Sequence, residues 1–468
     1  MRKLVSFLWQ SRGIVNLISR GLSIMNRFNF TPCKLEKILG RYIDLLLKYN
    51  AVPTFPITAN IVDRYPETIQ RLQKRGAVFE IHGYVHIDYT RLTLKQQEEH
   101  FKKAIEIFQK YKITFSGFRA PYTRWNDDTM EALKRNGFIW DSSYTTLLDI
   151  IDKKDFKKKQ WDAYQKAIKL YTPGEVAKQV VIPRIMKNGI VEIPMTLPDD
   201  EIVVDRLGIR KQKTVKKILW TIFKKTYERG EFFGVQVHPE RITLYRPAIE
   251  RILKQVEVFN LPVWKATLKD IAEWWIEKEK FEAVIKETQT NVYAINFKCS
   301  ARATVLAKNI ETGHFDKAGI KGNGKNGTSR FVGDPASLKT SSNWYGEYKL
   351  VDSSNELTVH SDKKPIIGIN PNCSDTFVKF LKEDGYIFEI TKTADNYSIY
   401  FNGVKEFDEI EILKQIEKQD VPLIRFWRWP WAARSVFSIT GDVDALTIVD
   451  FWGRILETHF LTKSSYEK

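Results

Sequence analysis

The sequence is poor in cysteine and has no long apolar run. Its three cysteines, Cys33, Cys299 and Cys373, are widely spaced among 468 residues and form no CxxC pair. This spacing argues against a disulfide framework and against a cysteine zinc site, and it fits a reducing compartment. No apolar run reaches the roughly 18 residues expected for a membrane-spanning helix. We therefore expect a soluble or peripherally attached cytoplasmic protein.

The charge balance is basic, because 74 lysines and arginines outnumber 57 aspartates and glutamates and give a net charge of +17. Such a surplus favours acidic partners: nucleic acid, an anionic glycan or an anionic membrane surface. No RNA-recognition, KH or zinc-finger pattern is present, so we expect no nucleic-acid partner. Residues 1–28 and 213–230 each predict an amphipathic helix that carries basic residues. Each helix could belong to the folded domain, or it could make a peripheral contact with a membrane surface.

The pattern of predicted elements divides the chain into segments. From residue 35 to about 275, strands alternate with helices of 10 to 18 residues, which predicts parallel βα units in a doubly wound sheet or a barrel. Residues 281–362 are richer in Gly, Asn, Ser and Thr and have short strands, so we predict a small β-rich module there. Residues 363–430 return to βα alternation and predict a small α/β segment.

A pair of histidines is the first chemical signal. Only seven histidines are present, and two of them stand four residues apart in the segment HGYVH at residues 82–86. The segment follows the predicted strand AVFEI, and catalytic residues of βα barrels lie at the carboxyl ends of strands. One helical turn would bring both imidazoles to one side, where neutral nitrogens can bind a metal ion. We predict that His82 and His86 bind a metal, with two surface or core histidines as the alternative.

Polar residues also end three later predicted strands. Arg119 opens the segment RAPY at residues 119–122, Asp141 opens the segment DSS, and His238 precedes a proline. Each of these could be a structural residue in a turn. The carboxyl ends of strands in one βα array meet at one mouth, so the four segments together predict a functional site there.

These motifs resemble, in their order, those of the polysaccharide deacetylase family, which has NodB homology and is carbohydrate esterase family 4. The resemblance spans about residues 35 to 275 and includes the segments ALKRNGFIWDSSY and LPVWKATLKDIAEWW. It implies a distorted (β/α)7 barrel that binds a divalent metal ion. It also implies removal of acetyl groups from N- or O-acetylated sugars.

The sequence departs from the family pattern in two places. Gly83 stands where the family usually has Ser or Thr, so a hydrogen bond that supports the histidines is expected to be missing. The opening strand of the family, which ends in paired aspartates, is absent ahead of residue 35. The segment SVFSITGDVD, residues 435–444, resembles that strand and carries Asp442 and Asp444. An unrelated loop with two aspartates is the alternative.

The simplest interpretation of this arrangement is a circular permutation, which the nearness of domain termini makes feasible. Residues 1–280 would form a deacetylase barrel that lacks its first strand. Residues 431–468 would complete the barrel with a strand and a helix. The β-rich module and the small α/β segment would form an insertion between them.

The resemblance also implies a role for each motif residue. His82, His86 and Asp444 would bind the divalent ion, with Zn²⁺ preferred and Ni²⁺, Co²⁺ or Fe²⁺ also compatible. Asp442 would be the general base, although the two aspartates could be exchanged in these roles. The remaining residues would assist catalysis: His238 protonates the leaving amine, Arg119 orients Asp442, Asp141 pairs with Arg119, and the backbone N–H of Tyr122 binds the oxyanion.

We therefore expect a metal-dependent hydrolase that removes acetyl groups from N-acetylated sugars of a polysaccharide or a lipid-linked glycan. Two alternatives remain. The chain could be another C–N hydrolase on the same fold that acts on a small amide. It could also be a catalytically silent glycan-binding protein.

Overall fold

The computed structural model describes residues 28–312, 347–353 and 356–454. The predicted N-terminal amphipathic helix falls almost entirely outside these residues. Of the helix expected after Asp444, residues 448–454 are helical. Among the described residues, no helix is long and apolar enough to cross a membrane.

Helices and strands alternate over most of residues 33–278, as the sequence pattern predicts, but four short strands follow one another between residues 174 and 197. The helices are α1 (Cys33–Leu47), α2 (Ala59–Arg64), α3 (Pro66–Lys74), α4 (Leu94–Lys110), α5 (Asp127–Arg135), α6 (Lys158–Tyr171), α7 (Gln212–Glu228), α8 (Ile242–Val258) and α9 (Leu268–Lys278). The strands are β1 (Thr54–Ile57), β2 (Val78–Ile81), β3 (Gly117–Phe118), β4 (Trp140–Asp141), β5 (Thr145–Leu147), β6 (Gly174–Glu175), β7 (Arg184–Ile185), β8 (Val191–Glu192), β9 (Met195–Leu197), β10 (Phe232–Gln236) and β11 (Val263–Lys265).

The rest of the described chain contains mainly strands. They are β12 (Glu282–Gln289), β13 (Val292–Lys298), β14 (Val305–Lys308), β15 (Glu311–Thr312), β16 (Lys349–Val351), β17 (Leu357–His360), β18 (Lys364–Ile369), β19 (Phe388–Ile390), β20 (Tyr397–Phe401), β21 (Leu423–Phe426) and β22 (Ser435–Thr440). Two helices accompany them, α10 (Asp375–Asp384) and α11 (Glu409–Glu417).

The last strand, β22, lies inside the main sheet. The strand order is β10-β22-β1-β2-β3-β4-β8-β7, and β11 also pairs with β22. Every pairing is parallel except that of β7 with β8. All six residues of β22 are buried, as expected for a central strand of a parallel sheet covered by helices. The C-terminal strand therefore completes the core of the N-terminal region.

The sheet is an open α/β half-barrel. Among the described strands, β10 and β7 stand at the two ends and do not pair with each other. A small parallel sheet, β6-β5-β9, lies beside the gap, and the backbone N–H of Gly234 in β10 donates to Thr196 Oγ1 in β9 at 3.3 Å. The α/β class is thus confirmed, and the distorted (β/α)7 barrel stays a prediction.

Local sequence explains where the helices begin and how the sheet packs. Helix α4 starts with a capping box, in which Thr93 accepts from the backbone of Gln96 and the Gln96 side chain accepts from Thr93. Gly117 of β3 lies directly against the indole of Trp140 in β4, so that a Cβ added at Gly117 would stand 1.8 Å from the ring. Only glycine permits this close approach.

Helix α7 is the basic amphipathic helix predicted at residues 213–230. Its apolar residues are buried in the domain: Val215, Ile218, Leu219, Ile222 and Phe223. The apolar face is therefore used in packing.

The β-rich module and the α/β segment that follows it share one core. Strand β21 pairs with β14, and Ile366, Ile387 and Ile424 pack with Val305 in one buried cluster. This inserted region packs on the barrel through the segment FWRWPW, in which Trp429 is fully buried and donates from Nε1 to the carbonyl of Gly230 at 2.9 Å. The aromatic segment thus serves packing between the two regions.

Candidate active site and metal centre

A cavity of about 570 Å³ opens where several parallel strands of the main sheet end. Strand β2 leads into the HGYVH segment, β3 leads into RAPY, and β10 leads into His238. The C-terminal strand β22 leads into Asp442 and Asp444. The cavity is lined by six of the eight predicted site residues: His82, His86, Tyr122, His238, Asp442 and Asp444.

The HGYVH segment turns sharply after β2. Gly83 has φ of +91°, and an added Cβ would stand 2.9 Å from Tyr89 Oη and 3.1 Å from the carbonyl of Val85. The turn therefore requires glycine at the position where the resemblance expected Ser or Thr. Within the described residues, the buried Nδ1 of His86 has no hydrogen-bond partner. The expectation that Gly83 removes a supporting hydrogen bond stays a prediction.

The three predicted metal ligands lie together. His82 Nδ1 is 2.7 Å from the carbonyl of Arg119, to which it donates when protonated, so that Nε2 keeps its lone pair. His82 Nε2 lies 3.4 Å from Asp444 Oδ1, and His86 Nε2 lies 3.4 Å from Asp444 Oδ2. One ligand atom from each residue falls within 4.8 Å of the other two.

The protonation states suit a metal ion. Burial lowers the pKa of His86 well below its usual value, which favours the neutral imidazole. Burial alone would raise the pKa of Asp444, but His86, His82 and Arg454 hold it well below the usual value, so Asp444 is a carboxylate. Asp444 Oδ1 is buried and has no hydrogen-bond partner among the described residues. Two imidazoles and this unsatisfied oxygen are a donor set that fits Zn²⁺ or a similar divalent ion.

Asp442 is held by Arg119, as the sequence analysis expected. Arg119 Nη1 donates to Asp442 Oδ1 at 3.0 Å and to Thr440 Oγ1 at 3.0 Å, and it also contacts Gln236 Oε1. Its Nε and Nη2 donate to the carbonyl and the hydroxyl of Ser142, both at 3.0 Å. This buried guanidinium is fixed on three sides and therefore orients the Asp442 carboxylate.

The expected pairing of Asp141 with Arg119 is wrong. Asp141 accepts from the backbone and the hydroxyl of Ser143 at 3.1 and 2.8 Å. Its other neighbour is the buried Glu192, which accepts from the backbone of Ser143 and Tyr144. Burial raises the pKa of both carboxyls, and for Glu192 the charge of Asp141 adds to the effect. These directions favour a protonated Glu192 beside Asp141. Ser142 and Gln236 take the places beside Arg119.

His238 is paired with a carboxylate that the sequence analysis missed. His238 Nδ1 donates to Asp200 Oδ1 at 2.8 Å, and the backbone N–H of His238 donates to Asp200 Oδ2 at 2.8 Å. Burial alone would lower the pKa of His238, but Asp200 raises it well above its usual value. Arg241 Nη1 also donates to Asp200, at 3.0 Å. The pairing with Asp200 therefore favours the protonated form of His238.

A sequence signal for Asp200 existed. Asp199 and Asp200 closely follow strand β9, and a polar residue after a strand is the pattern that marked the other site residues. Asp199 lines the cavity, and burial together with Asp200 and Glu201 raises its pKa to about 7. The remaining missed residue, Arg454, contacts Asp444 from the helical residues 448–454 and could not be found without the fold.

Tyr122 lies at the mouth of the cavity. Its backbone has φ of +59°, in the left-handed region, and its ring centroid stands 4.3 Å from that of His86 in an edge-to-face arrangement. The side chain is 46% exposed. The assignment of its backbone N–H to an oxyanion stays a prediction.

Together, the α/β sheet and this cluster of ionisable side chains at its carboxyl edge are typical of a hydrolase site. The family model of polysaccharide deacetylase matches residues 24–139. A peptidoglycan deacetylase-like protein of Gibberella zeae is 26% identical over 261 residues, which are 52% of this chain and 76% of that protein. The peptidoglycan-N-acetylmuramic acid deacetylase PdaC of Bacillus subtilis is 32% identical over 123 residues, 26% of this chain and 25% of that protein.

Solved structures include a probable polysaccharide deacetylase from Pseudomonas aeruginosa, with 21% identity and a TM-score of 0.40 over 51% of this chain and 72% of that chain. The family match over residues 24–139 and the sequence relatives confirm the resemblance to the polysaccharide deacetylases that was drawn from the motifs. The matched residues 24–139 include His82, His86, Arg119 and Tyr122. They do not include His238 or the two aspartates after β22.

Proposed function

We propose that this protein is a metal-dependent hydrolase that removes acetyl groups from N-acetylated sugars of a glycan. The observation that carries the proposal is the carboxylate of Asp444, whose Oδ1 is buried and has no hydrogen-bond partner within the described residues. Its two oxygens lie 3.4 Å from His82 Nε2 and 3.4 Å from His86 Nε2, in a cavity that Asp442 and His238 also line. Without an ion, such a buried acceptor costs free energy, whereas a divalent cation would satisfy it.

His82, His86 and Asp444 would hold the ion. When bound there, a divalent ion such as Zn²⁺ would polarise the acetyl carbonyl and make a water molecule easier to deprotonate. The other steps belong to side chains of this chain.

Asp442 is proposed as the general base that takes a proton from the attacking water. It lines the cavity two residues before Asp444, and Arg119 fixes its carboxylate through the 3.0 Å ion pair. A base held in one orientation contributes more to the rate than a mobile one, because reacting groups must meet in one geometry.

His238 is proposed as the general acid that protonates the leaving nitrogen of the sugar. It lines the same cavity, and Asp200 keeps it protonated by raising its pKa. An acid that still holds its proton at neutral pH suits the release of an amine, which departs as a poor leaving group unless it is protonated.

The backbone N–H of Tyr122 is proposed to donate to the oxyanion of the tetrahedral intermediate. Its place at the mouth, next to His86, supports this role. Removal of one such donor typically lowers the rate about 10²- to 10³-fold.

An acetylated glycan fits the cavity and the sequence relatives. A volume of about 570 Å³ lies in the range of roughly 300–1,000 Å³ that is usual for ligand pockets. The two sequence relatives are named for deacetylation of peptidoglycan. We also propose a cytoplasmic location, with a peripheral membrane contact made by basic side chains.

We further propose that the chain is a circular permutant of the family fold. Strand β22 pairs with β10 and with β1, and this position of a C-terminal strand inside the sheet supports the proposal. The backbone N–H of Ile448 donates to the carbonyl of Asn29 at 2.9 Å, so residues that follow β22 lie beside residues that precede α1. This nearness would allow the usual order, in which the strand is followed by its helix and then by α1.

Metal binding and acetate release test the function. Purified protein is expected to bind about one divalent ion per chain and to release acetate from N-acetylated glycan oligomers. His82→Ala and His86→Ala should lose both properties, because two ligands hold an ion weakly. His360→Ala, at an exposed histidine of β17, is the matched control and should keep both. Release of acetate only from small amides would favour the alternative of a small-amide C–N hydrolase. Glycan binding without acetate release would favour a catalytically silent glycan-binding protein.

A rearranged chain tests the permutation. Joining residue 468 to residue 1 through a short linker, and opening the chain between Trp431 and Ala432, keeps every residue and places β22 first. Trp431 is 60% exposed, so the new termini lie at the surface. The rearranged protein should fold, bind metal and release acetate. A protein that cannot fold in this order would contradict the permutation while leaving the proposed chemistry untouched.

A further inference from the structure

The two oxygens of Asp444 have different surroundings. Oδ1 faces His82 Nε2 at 3.4 Å and has no hydrogen-bond partner among the described residues. Oδ2 accepts a hydrogen bond from Arg454 Nη1 at 2.6 Å. One oxygen is therefore free for an ion, while the other is already bound to a side chain that belongs to no motif of the sequence analysis.

The helical residues that carry Arg454 are firmly anchored. Asp450 Oδ2 accepts from the backbone N–H groups of Thr447 and Leu446 at 2.8 and 3.2 Å, which fixes the start of the helical segment. Asp450 Oδ1 accepts from Arg64 Nη1 of α2 at 3.0 Å, which ties this segment to the barrel. The segment thus holds a defined place beside the cavity.

The guanidinium is also placed by packing. It lies over the ring of Phe451 at 5.2 Å from the centroid, and that ring stands 5.6 Å from the ring of Phe28. All three side chains line the cavity. A cation stacked in this way loses little further freedom when it binds a carboxylate.

We propose, on the basis of the proposed metal site, that Arg454 is a positioning residue for the metal ligand Asp444. By holding Oδ2, it fixes the carboxylate between the two imidazoles, keeps Oδ1 facing His82 Nε2, and restricts the carboxylate to a single ligating oxygen. Coordination positions then remain open for water and substrate. Hydrogen-bond partners of metal ligands generally act in this way, by fixing the orientation of the ligand.

Two effects of Arg454 on the ion oppose each other. The positive guanidinium repels a cation, whereas the hydrogen bond organises the ligand that attracts it. The hydrogen bond is direct and short, while the carboxylate separates the guanidinium from the ion. We therefore expect the organising effect to exceed the repulsion.

The test is calorimetric titration of the metal-free protein with Zn²⁺, for wild type and for variants of Arg454. Arg454→Met removes the donors and the charge and should weaken binding about 10- to 100-fold. Arg454→Lys keeps a charged donor and should recover most of the loss. Arg210→Met is the matched control: Arg210 lines the same cavity, is exposed, and contacts none of the three ligands in the described part of the chain. It should leave the affinity unchanged.

The outcomes are distinct. A folded Arg454→Met protein that binds Zn²⁺ as tightly as wild type, or more tightly, overturns the proposal, because Arg454 would then be a counter-ion that the metal displaces. If Arg454→Met does not fold by circular dichroism, Arg454→Gln replaces it: weaker binding supports the proposal and unchanged binding overturns it. A wild-type protein that binds no Zn²⁺ would instead contradict the proposed function.

Discussion

The cavity and the inserted region both contain buried charged side chains, but the two regions satisfy them differently. In the inserted region, Asp384 accepts from Arg425 Nη2 and from Arg428 Nε, each at 2.6 Å, and these arginines lower its pKa to about 2 despite burial. At the cavity, Asp444 keeps one buried oxygen that has no hydrogen-bond partner in the described parts of the chain, and the same holds for the buried His86 Nδ1. A buried charge by itself therefore does not mark a functional site. An unsatisfied buried atom that faces a cavity is the more informative sign.

The largest expected effect comes from the strand that joins the two ends of the chain. Deletion of residues 432–468 removes β22 from between its neighbours and leaves the edges of β10 and β1 unpaired. Unpaired edges and exposed apolar residues promote aggregation. We expect loss of soluble monomer in size-exclusion chromatography. The Asp442→Asn, Asp444→Asn double variant keeps the strand and should stay soluble. A soluble, folded deletion protein would show that β22 is not part of the core.

The two aspartates should separate into a base and a ligand. Asp442→Asn is expected to keep the metal and to lose about 10²- to 10⁴-fold in turnover, as is usual for loss of a general base. Asp444→Asn should lose the metal itself, because a neutral amide is a weaker ligand than a carboxylate. Metal content and acetate release of each variant check this. The opposite pattern would exchange the two roles, and small effects of both would favour an unrelated loop.

A variant of Asp384 tests whether the buried ion pairs of the inserted region serve stability and not metal binding. Asp384→Ala leaves two arginines buried without their carboxylate, and breaking a buried pair in this way costs about 3–5 kcal/mol. We expect a lower free energy of unfolding in urea, and an unchanged Zn²⁺ affinity in the folded variant. Glu282→Gln changes an exposed pair with Lys298 and should have no measurable effect on stability. A weaker metal site in Asp384→Ala would link the two regions.

The smallest expected effect is a shift in the pH dependence of acetate release. In the wild type, Asp200 raises the pKa of His238, so the acid form persists to pH values well above the usual histidine range. Asp200→Asn removes that stabilising charge, and the alkaline limb of the pH–rate profile should move down by roughly one to three units. A limb that stays in place would show that His238 is not the acid.

Much of the fold could be predicted from the sequence, because periodic apolar residues report helices and strands directly. The position of β22 followed from its apolar strand and the two aspartates after it. The open edge of the sheet could not be predicted, since it depends on how β5, β6 and β9 pair among themselves. The inserted region shares one core because β14 pairs with β21, more than 110 residues later, and no local pattern reports such a pairing.

At the site, motifs located the residues but not their partners. His82, His86, Asp442 and Asp444 occur in motifs and lie together in the cavity. The partners of Arg119 could not be inferred, because Gln236 and Ser142 reach it only in the folded sheet, and Asp141 is turned toward Glu192 instead. No sequence motif marks Arg454, because its role depends on a contact between its side chain and Asp444 that exists only in the folded protein.

The central claim is that a C-terminal strand supplies the carboxylate of a metal site whose histidines come from the N-terminal region. A crystal structure of Zn²⁺-loaded protein, with anomalous data at the zinc edge, tests it most directly. We predict one ion bound by Nε2 of His82, Nε2 of His86 and Oδ1 of Asp444 at about 2.0–2.2 Å. An ion elsewhere, or one that binds the histidines while Asp444 stays out of reach, would contradict the account.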